Sequence, residues 1–366
     1  MSATARLELS YVLPLRWSAD AGRSELRGYL GELAEVCAEV IVVDGSPPEV
    51  FAANAAAWEQ TVTHIPPDGE RRCKMGKVAG VLTGVSHARH EPIVLADDDV
   101  RYDRDALARV IELLQEFDLV RPQNFFGPLP WHARWDTART LLNRALGGDF
   151  PGTLAVRRSR MAAMGGYDGD VMFENLELMR TVEAHGGRTL SAPEIYVRRI
   201  PPTAAHFWGQ RTRQAYDDFA IPLRMCCWLA VLPATAAAVL RGRASRILQA
   251  IAAAAFLAEH GRRRAGGTRV FPASSSLLAG PWLLERGVCA WLAVLQRVRF
   301  GGVRYGEGVI PTAAHSKRWL RRRALAVGTA GSARYAAAAS SAGSIPTTFN
   351  RRFSALKAKV FVSSIV

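Results

Sequence analysis

The chain has 366 residues, of which 49% are hydrophobic and 22% charged, and its 47 Lys and Arg against 33 Asp and Glu give a net charge of +14. That length holds one α/β domain of ordinary size plus an appendage, and no aromatic residues interleave with the basic runs as in a recognisable nucleic-acid module, which argues against a nucleic-acid partner. Cys37, Cys73, Cys226, Cys227 and Cys289 are odd in number and lack paired metal spacing, so reduced thiols are expected rather than a disulfide framework or a zinc site.

Met1 to Tyr11 carries Arg6 and Glu8 without a useful apolar core, so no secretory signal is expected there. Leu7 to Leu15 reads as a strand, Glu25 to Val36 as an amphipathic helix and Val40 to Ser46 as a second buried strand, an order that predicts a parallel crossover. Asp44 closes the second strand, placing a carboxylate at a carboxyl-terminal strand edge; a capping Asp is the other reading. Cys73 to Ala88 reads as a small-residue helix whose amino-terminal N–H groups, with Lys74 or Lys77, suit a phosphate. Pro92 to Ala96 is a short apolar strand that delivers Asp97, Asp98 and Asp99 to its end, where open α/β sheets bind ligands. Mg²⁺ or Mn²⁺ on a substrate diphosphate suits such a cluster, and a solvated acidic turn or helix cap is the alternative.

Further along come a loop and strand at Gly147 to Arg158, a Gly165-Gly166-Tyr167-Asp168 turn, and a helix carrying Glu174, Asn175, Glu177 and Arg180. From Ile221 the composition shifts. Met225 to Leu240 is uncharged, Ile247 to Ala258 is a shorter apolar run, and Ala273 to Leu295 is long but interrupted by Glu285 and Arg286. A bilayer crossing needs about 20 apolar residues, so the first and third runs are the candidate spans. Arginines flank each run, and three crossings would place a basic segment against the positive-inside tendency, so two spans or an interfacial hairpin are expected; a soluble Ala-rich helical domain is the alternative. Arg321 to Val366 is a basic, Ala- and Ser-rich tail with little periodicity, expected to be disordered and able to hold anionic lipid.

In their order and spacing, Pro14, Asp44, Gly76-Lys77 and Asp97-Asp98-Asp99 resemble the pattern of family 2, GT-A type nucleotide-sugar glycosyltransferases. The resemblance implies a Rossmann-like GT-A catalytic domain over 1–220, hydrophobic membrane-associated helices over 221–300 and the basic tail over 301–366. It implies that Pro14 and Asp98 lie in the donor site, Asp44 contacts the nucleobase, Lys77 lies near the nucleotide, Asp97 meets ribose or metal, and Asp99 holds the metal on the diphosphate. Most members carry Glu-Asp where this chain has Glu174-Asn175, and the Asp is the general base. Asn cannot accept a proton, so the base role passes to Glu174, or the enzyme is weakened or inactive. Gln210 and Arg213 match the family's Gln-x-x-Arg-Trp box, in which Arg stabilises the leaving diphosphate; Gln214 replaces the Trp, which argues against processive polymer synthesis. A basic membrane-facing edge is the other reading of Arg211 and Arg213.

The activity so implied is inverting, metal-dependent transfer of a hexose from a nucleotide diphosphate, UDP above all, to a hydroxyl of a membrane lipid or polyprenyl-type acceptor. The catalytic domain is expected on the cytoplasmic side of the cell membrane, loosely as in ceramide and carotenoid glucosyltransferases. A catalytically degenerate membrane scaffold that binds nucleotide sugar without turnover is the alternative.

Overall fold

A computed structural model describes residues 5–18, 22–58, 60–71, 73–306 and 308–326. The expected opening is present as β1 (Leu7–Leu15), α1 (Arg23–Val36) and β2 (Cys37–Asp44), followed by α2 (Pro48–Trp58), β3 (Thr63–Ile65), α3 (Gly76–His87) and β4 (Pro92–Ala96). The chain continues through β5 (Val100–Arg101), α4 (Arg104–Leu114), β6 (Leu119–Phe126), α5 (Trp131–Ala145), β7 (Thr153–Arg157), α6 (Arg158–Met164), α7 (Glu174–Ala184) and β8 (Thr189–Arg199). All eight strands join one mixed sheet in the order β3-β2-β1-β4-β7-β6-β8-β5.

Strands β1 to β4 run parallel, and β7 is antiparallel to β4 with Thr153 opposite Ala96. The carboxyl ends of β1, β2 and β4 and the start of β7 therefore meet along one edge. Alternation of side chains divides the core into two layers. Val12, Ile41, Val43 and Ile93 pack with Val78 and Val81 of α3 and Leu178 of α7, whereas Tyr11, Leu13, Val42 and Val94 pack with Leu30 of α1 and Leu107 of α4. Both faces are covered, which is why these strands read as continuous apolar runs. Pro14, paired with Val43, lies beyond the last β1–β4 pair, Val12 with Leu95. A residue without an N–H is placed where the ladder to β4 has already ended.

The small residues of α3 set its distance from the sheet. A Cβ on Gly84 would fall 2.3 Å from Val12 Cγ1, and one on Gly80 would fall 2.9 Å from Pro14 Cβ. The helix therefore lies closer to β1 than side chains would permit, and its amino terminus, Gly76-Lys77, reaches the strand ends.

Beyond the sheet come α8 (Ala204–Tyr216), a 3₁₀ turn (Asp217–Ala220), α9 (Pro222–Leu240), α10 (Ala244–Arg263), α11 (Ala273–Leu277), α12 (Ala279–Phe300) and the hairpin β9 (Val303–Tyr305) with β10 (Gly308–Ile310). Among the described residues only α9 is long and apolar enough to cross a membrane, with mean hydropathy 1.8 and 6% of the window buried. The third apolar run differs from its expected role as a span. Its two charges dock it: Glu285 accepts from Arg211 Nε and Nη2 at 2.8 and 2.6 Å, and Arg286 Nη2 donates to Asp218 Oδ2 and to the Gln214 carbonyl. Arg211 is likewise buried, not on a membrane-facing edge, because Asp136 and Glu285 both bond it. Most of the expected basic tail, 327–366, lies outside the described residues.

The Gly84 contact gives a direct test. Gly84→Ala should destabilise the fold by about 1–3 kcal/mol in urea denaturation, the usual cost of overpacking. Gly28→Ala, in an open position of α1, should be neutral or stabilising by about 0.5–1 kcal/mol through helix propensity.

Candidate active site

A cavity of about 420 Å³ opens at the carboxyl ends of the parallel strands, lined by Pro14, Gly45, Gly76, Lys77, Asp97 and Asp98 among others. Lys77 crosses it. Its Nζ donates to Asp97 Oδ1 at 2.6 Å and to Glu174 Oε1 at 2.7 Å. Burial alone would lower the proton affinity of this ammonium, but the two carboxylates outweigh it and hold the Lys77 pKa well above the usual lysine range.

Asp97 is fixed from below, its N–H donating to the Gly152 carbonyl at 3.0 Å. A Cβ on Gly152 would stand 2.6 Å from Asp97 Oδ2, so only glycine leaves that carboxylate its place. Asp98 Oδ2 accepts from Trp17 Nε1 at 2.7 Å. Asp99 Oδ2 accepts from Arg199 Nε at 2.8 Å, whereas its Oδ1 is buried with no hydrogen-bond partner. Burial pushes the Asp99 carboxyl up to about 6; Arg199 opposes the rise and the Asp97 and Asp98 carboxylates add to it.

Asp44 sits at the end of β2 with 1% exposure. Its oxygens accept from Ser46 N, from Asn54 Nδ2 at 2.8 Å and from His64 Nε2 at 3.1 Å. Burial would raise its pKa, but these donors prevail and bring it to about 2. Its backbone neighbours Val43 and Gly45 line the cavity. Glu174 is the first residue of α7, and the adjacent Asn175 donates Nδ2 to the Pro151 carbonyl at 3.0 Å. In the same helix Glu177 accepts from His315 N and the His315 ring, and Arg180 donates to the His315 and Ala220 carbonyls. That segment therefore ties the carboxyl-terminal region to the site.

Gln210 pairs with His206 one turn earlier in α8 and stands apart from the acidic cluster. The Arg213 guanidinium lies 5.6 Å from the centre of the Tyr305 ring, and Tyr305 lines the cavity. Pro14, Lys77, Asp97 and Asp98 thus share one cavity, and Lys77 joins Glu174 to it. Arg199, Trp17 and Tyr305 belong to the same constellation without having been expected from the sequence. Each approaches from a distant segment, and no local spacing marks it.

The donors present fit a hard divalent cation. Mg²⁺ and Mn²⁺ are commonly held by one or two carboxylates together with substrate phosphates and water, and Asp99 Oδ1 is a buried oxygen free to serve. No group of three or more His, Cys, Asp or Glu side chains forms a metal cage among the described residues.

Residues 35–162 match the model of Glycosyl transferase family 2. No curated protein matches the chain. Among solved structures, the mannosyltransferase PcManGT from Pyrobaculum calidifontis, in complex with GDP-Man and Mn²⁺, is 20% identical with a TM-score of 0.41, over 90% of this chain and 81% of that one. Glucosyl-3-phosphoglycerate synthase from Mycobacterium tuberculosis, with Mn²⁺, UDP and glucosyl-3-phosphoglycerate, is 17% identical with a TM-score of 0.39, over 58% and 80%. Mannosyl-3-phosphoglycerate synthase from Rubrobacter xylanophilus is 15% identical with a TM-score of 0.38, over 57% and 71%.

A cation at Asp99 would compete with its proton. The folded pKa of about 6 exceeds the ordinary aspartate value of about 3.9, so without metal this group's contribution to stability falls as pH rises from about 4 to about 6. Below pH 6, Mn²⁺ affinity measured by calorimetry should weaken roughly tenfold per pH unit, as for displacement of one proton. In Asp99→Asn that dependence should disappear and binding should weaken at every pH.

Proposed function

We propose that the chain, whose residues 35–162 match the model of Glycosyl transferase family 2, transfers a hexose from a nucleotide diphosphate sugar, most readily UDP-linked, to a hydroxyl of a membrane lipid or polyprenyl-type acceptor, with inversion. The observation that carries this reading is the Lys77 bridge between Asp97 and Glu174. It sets the proton acceptor for one substrate beside the carboxylates that face the other.

The strand-end cavity takes the donor, with Gly45 and Gly76 allowing close backbone approach and the α3 amino terminus favouring phosphate. Asp44, fully engaged by Ser46, Asn54 and His64, fixes the turn against which the nucleobase rests. Asp97 and Asp99 would hold Mg²⁺ or Mn²⁺, which would supply charge stabilisation to the diphosphate. The acceptor hydroxyl gives its proton to Glu174 as its oxygen attacks the anomeric carbon from the face opposite the diphosphate; the anomeric bond to the diphosphate breaks, and Arg213 offsets the charge that leaves with it. Lys77 orients Glu174. The Asn175 amide, donating to the Pro151 carbonyl, does a structural task that an aspartate could not do. This favours an enzyme whose base is Glu174 over a degenerate scaffold that merely binds nucleotide sugar.

Membrane association follows from the helical region. Leu223, Val239 and Leu240 of α9, Leu248 and Phe256 of α10 and Leu295 and Val298 of α12 are all exposed, and Arg241, Arg243 and Arg246 stand at the α9–α10 junction. Exposed apolar side chains beside arginines suit an anionic cytoplasmic leaflet. The catalytic domain then lies on the cytoplasmic side.

The base assignment is tested by kinetics. Glu174→Gln should lower kcat by about a hundredfold or more with little change in donor Kd. Asn175→Asp should be neutral or harmful, because it loses the bond to Pro151 and sets a second carboxylate beside Glu174; a large gain would remove the assignment. The reading as a whole is tested by thermal shift with UDP- and GDP-sugars and Mn²⁺, where a ligand at a hundred times its Kd adds about 2.7 kcal/mol, followed by assay of labelled hexose passing to membrane lipid. Binding without any transfer or UDP release would favour the scaffold.

For the membrane, the chain should sediment with anionic vesicles at low salt. Val239→Glu with Leu240→Glu should reduce the bound fraction severalfold. Equal sedimentation of variant and parent would remove α9 from the contact.

A further inference from the structure

A second cavity, of about 140 Å³, lies where α5, the Asp217–Ala220 turn, α9 and α12 meet. It adjoins the acidic cluster, because Arg199, which bonds Asp99, also lines it, as does Phe173, the residue before Glu174. Its walls hold an excess of buried hydrogen-bond donors. Arg286 Nε and Nη1, Trp228 Nε1 and Trp282 Nε1 are all buried and none has a partner. Arg286 is 4% exposed and Trp282 2%. Their positions are fixed: the two indoles meet edge to face with ring centres 5.7 Å apart, and the guanidinium stands 5.9 Å from the Trp282 ring centre.

Buried polar groups in native proteins nearly always find a partner, so four unpartnered N–H groups on three residues that line one cavity point to something that accepts. Charge narrows the choice. Arg286 and Arg224, both lining the cavity, bond the same carboxylate, Asp218, each at 2.5 Å, which leaves one guanidinium in excess. Asp217, at the same wall, has an unpartnered buried Oδ1. Burial first, then Glu174 and Asp218, push its carboxyl up to about 8 against the pull of Arg286 and Arg213. The raised proton affinity weakens it as a competing anion. A phosphate monoester offers three terminal oxygens, all acceptors, and negative charge.

We propose that this cavity binds the phosphoryl group of a phosphate-bearing glycosyl acceptor, with the Arg286 guanidinium and the indole N–H groups of Trp228 and Trp282 as its donors. The acceptor role rests on the glycosyltransferase reading above; the anion site rests on these side chains alone. Anchored there, an acceptor has its hydroxyl brought toward Glu174 by the connection through Phe173 and Arg199.

The test uses the full chain in detergent, titrated with inorganic phosphate and, separately, with a short-chain phosphatidate, and followed by calorimetry. UDP with Mn²⁺ is titrated in parallel. Both phosphates should bind the parent chain. Trp228→Phe with Trp282→Phe, which removes the two N–H donors and keeps aromatic rings, should weaken phosphate binding at least tenfold while UDP binding stays within twofold. Trp282→Phe alone, retaining the edge-to-face contact with Trp228, provides the same comparison if the double variant folds poorly. Much tighter binding of the phosphatidate than of phosphate assigns the group to a lipid, and equal binding assigns it to a soluble phosphorylated acceptor; either supports the site. No phosphate binding by a chain that binds UDP would overturn the proposal, as would undiminished binding by the Trp variants. Phosphate binding through these residues in a chain that never binds UDP would overturn the acceptor role and, with it, the glycosyltransferase reading.

Discussion

The site depends on one side chain, Lys77, which holds two carboxylates from distant parts of the chain within hydrogen-bond reach of a single ammonium. Asp97 comes from the end of β4 and Glu174 from the start of α7, and neither touches the other's element through local sequence. Without a cation between them, two partly buried carboxylates would repel, and one would take up a proton. Lys77 can stand there because α3 carries glycine where it meets β1. Gly80 and Gly84 bring the helix onto Pro14 and Val12, and the helix amino terminus then falls level with the strand ends. Packing at one end of a helix thereby sets the chemistry at the other.

Much of this arrangement could be read in the sequence because it lies on regular elements with strong periodicity. The strands Leu7–Leu15, Cys37–Asp44 and Pro92–Ala96 are apolar on both faces, and buried parallel strands place their terminal residues at a common edge. Pro14, Asp44, Lys77 and the three aspartates follow from that rule. The partners of these residues could not be read in the same way. Arg199 comes from β8, which lies three places from β4 in the sheet, and Tyr305 comes from a short hairpin after α12. Their roles are properties of topology, and no spacing in one sequence encodes which far segment returns to an edge. Asp44 shows the converse: its position was legible, but the Ser46, Asn54 and His64 bonds that occupy its oxygens were not.

The carboxyl-terminal region shows why apolar length alone misjudges a helix. Pro222–Leu240 and Ala279–Phe300 are of similar length, yet one buries only Met225 and the other buries eight residues and is clamped to the domain. The difference is Glu285 and Arg286. In a bilayer these charges would be costly; here each has an opposite charge waiting, Arg211 from α8 and Asp218 from the following turn. They are docking groups, which hold α12 to the α/β domain and close a polar cavity against it, while α9 keeps an apolar, largely unburied face.

Charge balance links these parts. Asp97, Asp98, Asp99 and Glu174 set four carboxyl groups around the cleft, and burial pushes the Asp99 carboxyl up to about 6. Lys77 and Arg199 supply two positive charges to them. A magnesium or manganese ion bound there would add to that positive charge. A nucleotide diphosphate entering with such an ion would bring further negative charge, and Arg213, over Tyr305 at the cavity wall, is placed to meet it. The Asp218 side of the fold carries the opposite imbalance, two guanidiniums on one carboxylate. A cluster short of positive charge and a cavity short of negative charge meet at Arg199, which belongs to both. Arg199 thus couples the two clusters electrostatically, bonding Asp99 on one side and lining the guanidinium-rich cavity on the other.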